Sequence, residues 1–384
     1  MPSTMAIDEQ PEQPEEALTT SQGGVQRTPS SVLPRQEALA ALLKERARDL
    51  AAESADRHLE VSPELLTRFP TVRVRCAEDG EFHIRHLAAA LAMGRGEVFD
   101  QYVAWTAQLL AGFGIDRDHL VRHLGILAEV IAEDSTTDPE AATAVRRMIA
   151  HSVAVLSEGH ADPVSELRAG GIHQPLAASV LDALLQGDRQ QASKLVTAAV
   201  EGGVTLVELY LQVFQPCLRE VGRLWQAGRV TVAQEHLVTA AVQLLMAQLY
   251  PQLFATPRIG RSVVIASVGG ELHEIGARMV GDVFELHGWD SHFTGANTPT
   301  RGVAALAVDL DVDVVAISAT LGSHLPMVTS LVQALREAGD AKILVGGRPF
   351  LQVPDLWRLV SADGTAPDAA TAVETATALL GAAS

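Results

Sequence analysis

The sequence predicts a multidomain α and α/β protein with three folded parts. These are an all-helical N-terminal domain, a four-helix bundle, and a C-terminal doubly wound parallel sheet of flavodoxin-like type. Three observations carry this. At 384 residues the chain exceeds one ordinary core. Aromatics are only 4% of it while hydrophobic residues are 47%, which suits helical bundles joined to an α/β unit. From about residue 258 onward, short β-branched runs alternate with helical stretches.

Residues 1–36 are Pro-, Ser- and Glu-rich with little to bury, and are expected to form a disordered tail. Residues 37–158 read as successive amphipathic helices: from Glu37, from the Ser62-Pro63 cap, over Phe82–Met93, from Asp100, from His119, and from Pro139. A Gly-containing linker covers 161–172. Residues 175–255 carry four helices, over 176–185, 191–199, 205–227 and 232–253. Gly228 stops the third and Thr231 caps the fourth. In 258–384 strands are expected at 261–267, 290–294, 313–318 and 342–345, with a weakly marked fifth inside 357–361.

The net charge of −18 argues against non-specific nucleic-acid binding, and neither a basic recognition helix nor zinc-finger spacing occurs. Cys76 and Cys217 are far apart and read as buried thiols of a reducing cytoplasm. The N-terminus lacks a secretory pattern, and no stretch reads as a membrane span. A cytoplasmic protein without membrane or DNA contacts is the expectation.

Two histidine pairs, His83 with His86 and His119 with His123, share helix faces in the first domain. They read as surface or half-buried side chains on a polar face, or as ligands of haem iron or donors to a linear tetrapyrrole. A discrete divalent metal site is a further alternative.

The strongest chemical signal is Glu271-Leu-His273-Glu274-Ile275-Gly276, after the apolar run from Val263. A polar loop at the carboxyl end of a central strand is where open α/β sheets bind ligands. No G-x-G-x-x-G and no phosphate-binding lysine follow this strand, so dinucleotides and nucleoside triphosphates fit poorly. One imidazole cannot hold zinc, but a carboxylate-oriented imidazole can supply one axial bond to a metal held by a macrocycle. Ser318, Thr320, Gly346 and Gly347 end later strands and could line a slot for that ligand's tail.

Glu271-x-His273-x-x-Gly276, the Ser318-Ala-Thr320 stretch and Gly346-Gly347 resemble the signature of cobalamin-binding domains of methionine-synthase type. The resemblance implies His273 as lower axial ligand of cobalt, with Glu271 standing where Asp is usual. Residues 175–253 resemble the helical cap over the corrin, so the likeness spans about 210 residues. Trp225, separated by nine residues from Glu235-His236, resembles the signature of light-sensing adenosylcobalamin domains. There the tryptophan covers the adenosyl group and the Glu-His pair lines the upper chamber. A branch of that family has histidine after the tryptophan; here it is Gln226. With His83, Trp105, Phe82 and Tyr102, residues 37–158 resemble a globin-like sensor domain. The combination resembles the photocobilins, which pair a bilin with cobalamin.

The resemblance implies a non-enzymatic cytoplasmic photoreceptor. Adenosylcobalamin photolysis would rearrange the cap or a homo-oligomer, tuned by biliverdin or another bilin and read by a downstream protein partner. The alternatives are a corrinoid carrier for methyl transfer, against which Trp225 and Glu235-His236 count, and a cobalamin sensor without photochemistry.

Overall fold

A computed structural model describes residues 33–158, 164, 165, 167 and 171–381. Most of the expected tail and linker lies outside them. The described residues form two compact units, one of residues 33–99 together with 118–154, the other of 100–117 with those described between 155 and 381. Residues 100–117, which the sequence assigns to the first domain, therefore group with the second unit.

The first unit is helical: α1 (Leu33–Glu45), α2 (Ala47–Val61), α3 (Glu64–Arg68), α4 (Val72–Met93), the start of α5 (Glu97–Gly112), α6 (Arg117–Glu133) and most of α7 (Pro139–Ser157). Helix α4 packs on α1 and α2. Its Gly80 makes the approach to α2 possible, since a Cβ there would lie 2.9 Å from the Ala51 Cβ. Gly94 in the left-handed region ends α4, donating its N–H to Ala90 and Leu91 carbonyls.

The second unit begins, after the α5 segment, with α8 (Gln174–Leu185), α9 (Arg189–Glu201), α10 (Leu206–Leu209), α11 (Gln215–Gln226) and α12 (Val232–Leu249). The third expected helix is interrupted by one π-turn, Tyr210–Phe214, just before Pro216. Proline has no N–H for the regular ladder, so a local re-registration here is physically reasonable. The buried Tyr210 donates from its hydroxyl to Asp282 Oδ2 at 2.9 Å, tying the bundle to the following domain. Capping boxes start α10 at Thr205 and α12 at Thr231. Residues 232–255 are long and apolar enough to pass a length-and-composition test for a membrane span, a test that core helices also pass. In this fold Val238, Ala241, Val242, Leu245, Met246 and Leu249 of that helix are core residues.

The sheet follows: β1 (Ser262–Ser267), α13 (Ile275–Leu286), β2 (Asp290–Phe293), α14 (Thr300–Asp309), β3 (Val314–Ser318), α15 (Leu325–Ala338), β4 (Lys342–Gly346), α16 (Arg348–Gln352), α17 (Leu356–Leu359), β5 (Gly364–Thr365) and α18 (Ala369–Leu380). All pairings are parallel and the order is β2-β1-β3-β4-β5. Strands β1, β3 and β4 are buried runs without alternation, as strands covered on both faces require. The fifth strand is not within 357–361, which is largely the short helix α17. It is the pair Gly364-Thr365, where a Cβ added at Gly364 would lie only 3.1 Å from side chains of Leu344 and Thr375.

The register aligns Ser267 with Ser318 and Ser318 with Gly346, so three strand ends form one row. Gly347 follows with φ +107°, and a Cβ there would lie 2.0 Å from the Ala319 carbonyl oxygen. Gly347→Ala is therefore expected to cost at least about 3 kcal/mol in denaturant unfolding, from overlap and a φ that L-residues avoid.

Candidate functional site

The site is built where β1, β2 and β3 end. The loop after β1 is folded by its own backbone: Glu271 N–H donates to Val268 O at 2.9 Å, and Asn297 N–H donates to Glu271 O at 2.9 Å. Asn297, at φ +50° in the loop after β2, also accepts from Gly270 N–H through Oδ1 at 2.7 Å. These contacts carry the Glu271 side chain inward, where it is fully buried.

Its carboxylate is saturated. Oε1 accepts from the His273 backbone N–H at 2.9 Å and from His273 Nδ1 at 2.6 Å. Oε2 accepts from the Thr320 backbone N–H and from His324 Nδ1 at 3.2 Å. Burial pushes the Glu271 carboxyl up, but the hydrogen bonds and charges of His273 and His324 outweigh it and hold the group well below the usual carboxylate range. The same hydrogen bond raises the His273 pKa against its desolvation. Fixing Nδ1 as the donor leaves Nε2 as the ring's free nitrogen, and Nε2 has no hydrogen-bond partner among the described residues. The His273 side chain is 58% exposed, so a rigid base carries an outward imidazole.

Glu274 braces the loop from the other side. Oε1 accepts from Gln243 of α12 at 3.2 Å and Oε2 from Ala296 N–H at 2.9 Å. Ile275 is buried at the start of α13. Around Gly276 a Cβ would meet nothing within 4 Å, so this stretch borders open space. Deeper in, Ser267 Oγ and Thr365 Oγ1 are buried without a partner at the ends of β1 and β5. Half-buried Ser318 lies beside Ser267, and Gly346 beside Ser318. Unsatisfied hydroxyls in such a row suit a polar ligand tail entering between the strands.

The upper residues lie on the bundle. Glu235 and His236 open α12 and pair with each other, His236 Nδ1 to Glu235 Oε2 at 2.6 Å, while Glu235 Oε1 accepts from Thr239 at 2.8 Å. The Glu235 charge reaches His273 and helps raise its pKa. Trp225, at the end of α11, is half-buried with its ring centroid 6.2 Å from that of Trp105. The structure thus bonds Glu271, His273 and Thr320 directly and aligns Ser318 with Gly346. It leaves Trp225 and His236 without a bond to the loop.

His324, Asn297, Ser267 and Gln243 were not singled out from sequence. His324 lies six residues after Ser318, and only the return of the β3 loop to β1 reveals its contact with Glu271.

The first unit's histidines correct the surface reading. His58, His83, His86 and His123 are all buried. Ring centroids stand 5.1 Å apart for His58 and His123, 5.3 Å for His83 and His123, and 5.9 Å for His58 and His119. Ser54 Oγ spends its hydrogen on Ala51 O, so His123 Nε2–H donates to Ser54 at 3.2 Å. His86 Nδ1 donates to Phe82 O at 2.9 Å. The rings of His58, His83, His119 and His123 pack on one another. No group of three or more metal-ligating side chains with suitable geometry occurs among the described residues.

Comparison with known proteins matches residues 176–250 and 261–374 to two families, each described as a B12 binding domain. A corrinoid protein of Desulfitobacterium hafniense is 27% identical over 207 residues, covering 52% of this chain and 94% of that protein. Dimethylamine corrinoid protein 1 of Methanosarcina acetivorans is 28% identical over 196 residues, covering 48% and 90%. The HTH-type transcriptional repressor CarA of Myxococcus xanthus is 31% identical over 167 residues, covering 42% of this chain but only 54% of the repressor.

The residues fit a corrin on this structure's own terms: an imidazole oriented by Glu271 with its Nε2 unbonded among the described residues, an open glycine-bordered approach and unpaired hydroxyls at the strand ends. Cobalamin is the cofactor of this helical and α/β module. The light-sensing expectation is corrected. Relatives aligned over about nine-tenths of their length are corrinoid proteins, not methionine-synthase-type or photoreceptor modules. Biliverdin, signal transduction and a photolabile adenosyl group lose their support with it, and neither family match reaches the buried histidines.

Proposed function

We propose that this chain is a corrinoid carrier for methyl transfer. Bound cobalamin would supply a cobalt able to accept a methyl group and release it to a methyltransferase reaction. His273 Nε2 would hold the lower side of the cobalt, with Glu271 fixing the ring and His324 and Thr320 fixing Glu271. Ser267, Ser318, Thr365, Gly346 and Gly347 would border the slot for the nucleotide tail. Glu274, Ile275 and Gly276 would shape its entrance, and Trp225, Glu235 and His236 would face the upper side. The chain is not itself an enzyme; it needs a methyltransferase partner, in keeping with relatives named for dimethylamine and trimethylamine corrinoid proteins.

The observation that carries this reading is the 2.6 Å His273–Glu271 hydrogen bond on a buried, fully bonded carboxylate. We read the sheet order as flavodoxin-like and residues 174–249 as the helical cap; the globin-like reading of the first helices rests on resemblance alone. As a test, the chain loaded with methylcobalamin should return its methyl group to a thiol acceptor only when a methyltransferase is added. Exclusive binding of adenosylcobalamin, with a change of oligomeric state in green light, would sink the carrier reading.

A further inference from the structure

The second unit contains a segment that neither B12-binding family match covers. This is residues 100–117, mostly the helix α5. It meets the end of α11 through three kinds of contact on one helical face, at positions 105, 108 and 112. The Trp105 indole lies 6.2 Å from that of Trp225, with the planes tilted by 40°. Gln226 is 7% exposed, and its Nε2 donates to the Trp105 carbonyl at 3.0 Å and to Gln108 Oε1 at 3.1 Å. Gly112 and Gly228 then bring bare backbone against bare backbone. A Cβ on Gly112 would fall 2.3 Å from Gln226 O, and one on Gly228 would fall 2.2 Å from Gly112 O.

A close backbone approach, a buried amide with both hydrogens used and an indole pair make this a built joint, not incidental packing. It sits on the turn that leads to Thr231, the cap residue of the helix carrying Glu235 and His236. Trp225 is thus packed against α5 at this joint. Gln226 is committed to this joint through both of its amide hydrogens.

Resting on the reading of Trp225 as an upper-face residue, we propose that Trp105 is the second wall of the upper-ligand chamber and a specificity-determining residue. It braces Trp225 so that the chamber admits a small upper ligand, such as methyl, and excludes a large one. Gln108, Gln226 and the Gly112–Gly228 contact are positioning groups for that wall.

The test uses the full chain, titrated with methylcobalamin and with adenosylcobalamin as a bulky probe. Trp105→Ala should reduce the preference for the small upper ligand by about tenfold, the scale on which pocket walls discriminate size. Methylcobalamin affinity should stay within about twofold of the parent and Trp105→Phe should restore most of the preference. An affinity ratio unchanged in Trp105→Ala overturns the proposal. A cofactor-free readout runs beside it. Gly112→Leu keeps all four tryptophans and should increase acrylamide quenching of their fluorescence; unchanged quenching overturns the joint. His273→Ala in the same titrations separates the two readings. If it leaves the lower-ligand spectrum unaltered while Trp105→Ala still shifts the ratio, the axial assignment falls and the wall stands.

Discussion

Glu271→Ala is expected to damage both the apo fold and cobalamin binding more than any other single change at the site. Removing the carboxylate strips the acceptor from two backbone N–H groups, of His273 and Thr320, and from Nδ1 of His273 and His324. An unsatisfied buried donor costs about 1–3 kcal/mol, so with partial relaxation the loss of stability should be about 3–6 kcal/mol. Losing the partner of a metal-binding histidine typically costs about 10–100-fold in affinity. Glu271→Gln keeps an acceptor but has an amide that cannot accept from donors on both sides, so it should lie between. Denaturant unfolding of the apo chain and cobalamin titration check this. Stability within about 1 kcal/mol of the parent would show that the donors find other partners.

Acid is expected to unfold the first unit before the second. Burial is the main force lowering His58 to about 4, with the charges of His119 and Arg122 adding to it and Glu64 opposing. Burial also lowers His83 to about 4 and His123 well below its ordinary value, the latter helped by His83 and His58. These folded-state values lie under the unfolded value of about 6.5, so between them the unfolded chain binds more protons. Stability from the neutral rings is therefore complete above about pH 6.5 and is lost as pH falls toward 4. His58 and His83 are each worth up to about 3 kcal/mol. Asp79 works in the opposite sense, raised to about 7 by burial and by Glu78, but its side chain is only half-buried and offsets part of the loss. The second unit's Glu271, held low, gives way only below about pH 4.5. Calorimetry of the full chain at pH 7.5 and 5 should show the first transition moving down while the second holds. His123→Leu should flatten the shift; parallel movement of both transitions would contradict the histidine account.

Much of the cobalamin module was legible because its signals are local. The period of the cap helices, the glycine-closed β1 run and the Glu271–His273 spacing each lie within one stretch of chain. Gly347 was legible as a motif residue, though not the Ala319 carbonyl that makes glycine obligatory. What escaped depends on contacts between distant segments. His324 reaches Glu271 only because β1 and β3 are neighbours, and Ser267 gains meaning only beside Ser318. Trp105 reads as a first-domain aromatic until Gln226 and Gly112 tie its helix to the bundle. The buried histidines misled in another way. Spacing of three or four residues identifies a shared face, but it does not distinguish a polar surface from a packed core when arginines alternate with the histidines. The short cap signature, Trp225 with Glu235-His236, points to light sensing, while the corrinoid module in which it sits points to a carrier.

The central claim is that His273 Nε2 is the lower ligand of cobalt, and electron paramagnetic resonance tests it most directly. The full chain is loaded with cobalamin, reduced to cobalt(II), and prepared with natural and with 15N-labelled histidine. The account predicts that one axial nitrogen splits the cobalt lines into triplets with natural histidine and into doublets with the labelled residue. Triplets that persist after labelling would mean that the cofactor's own base, not His273, holds the cobalt.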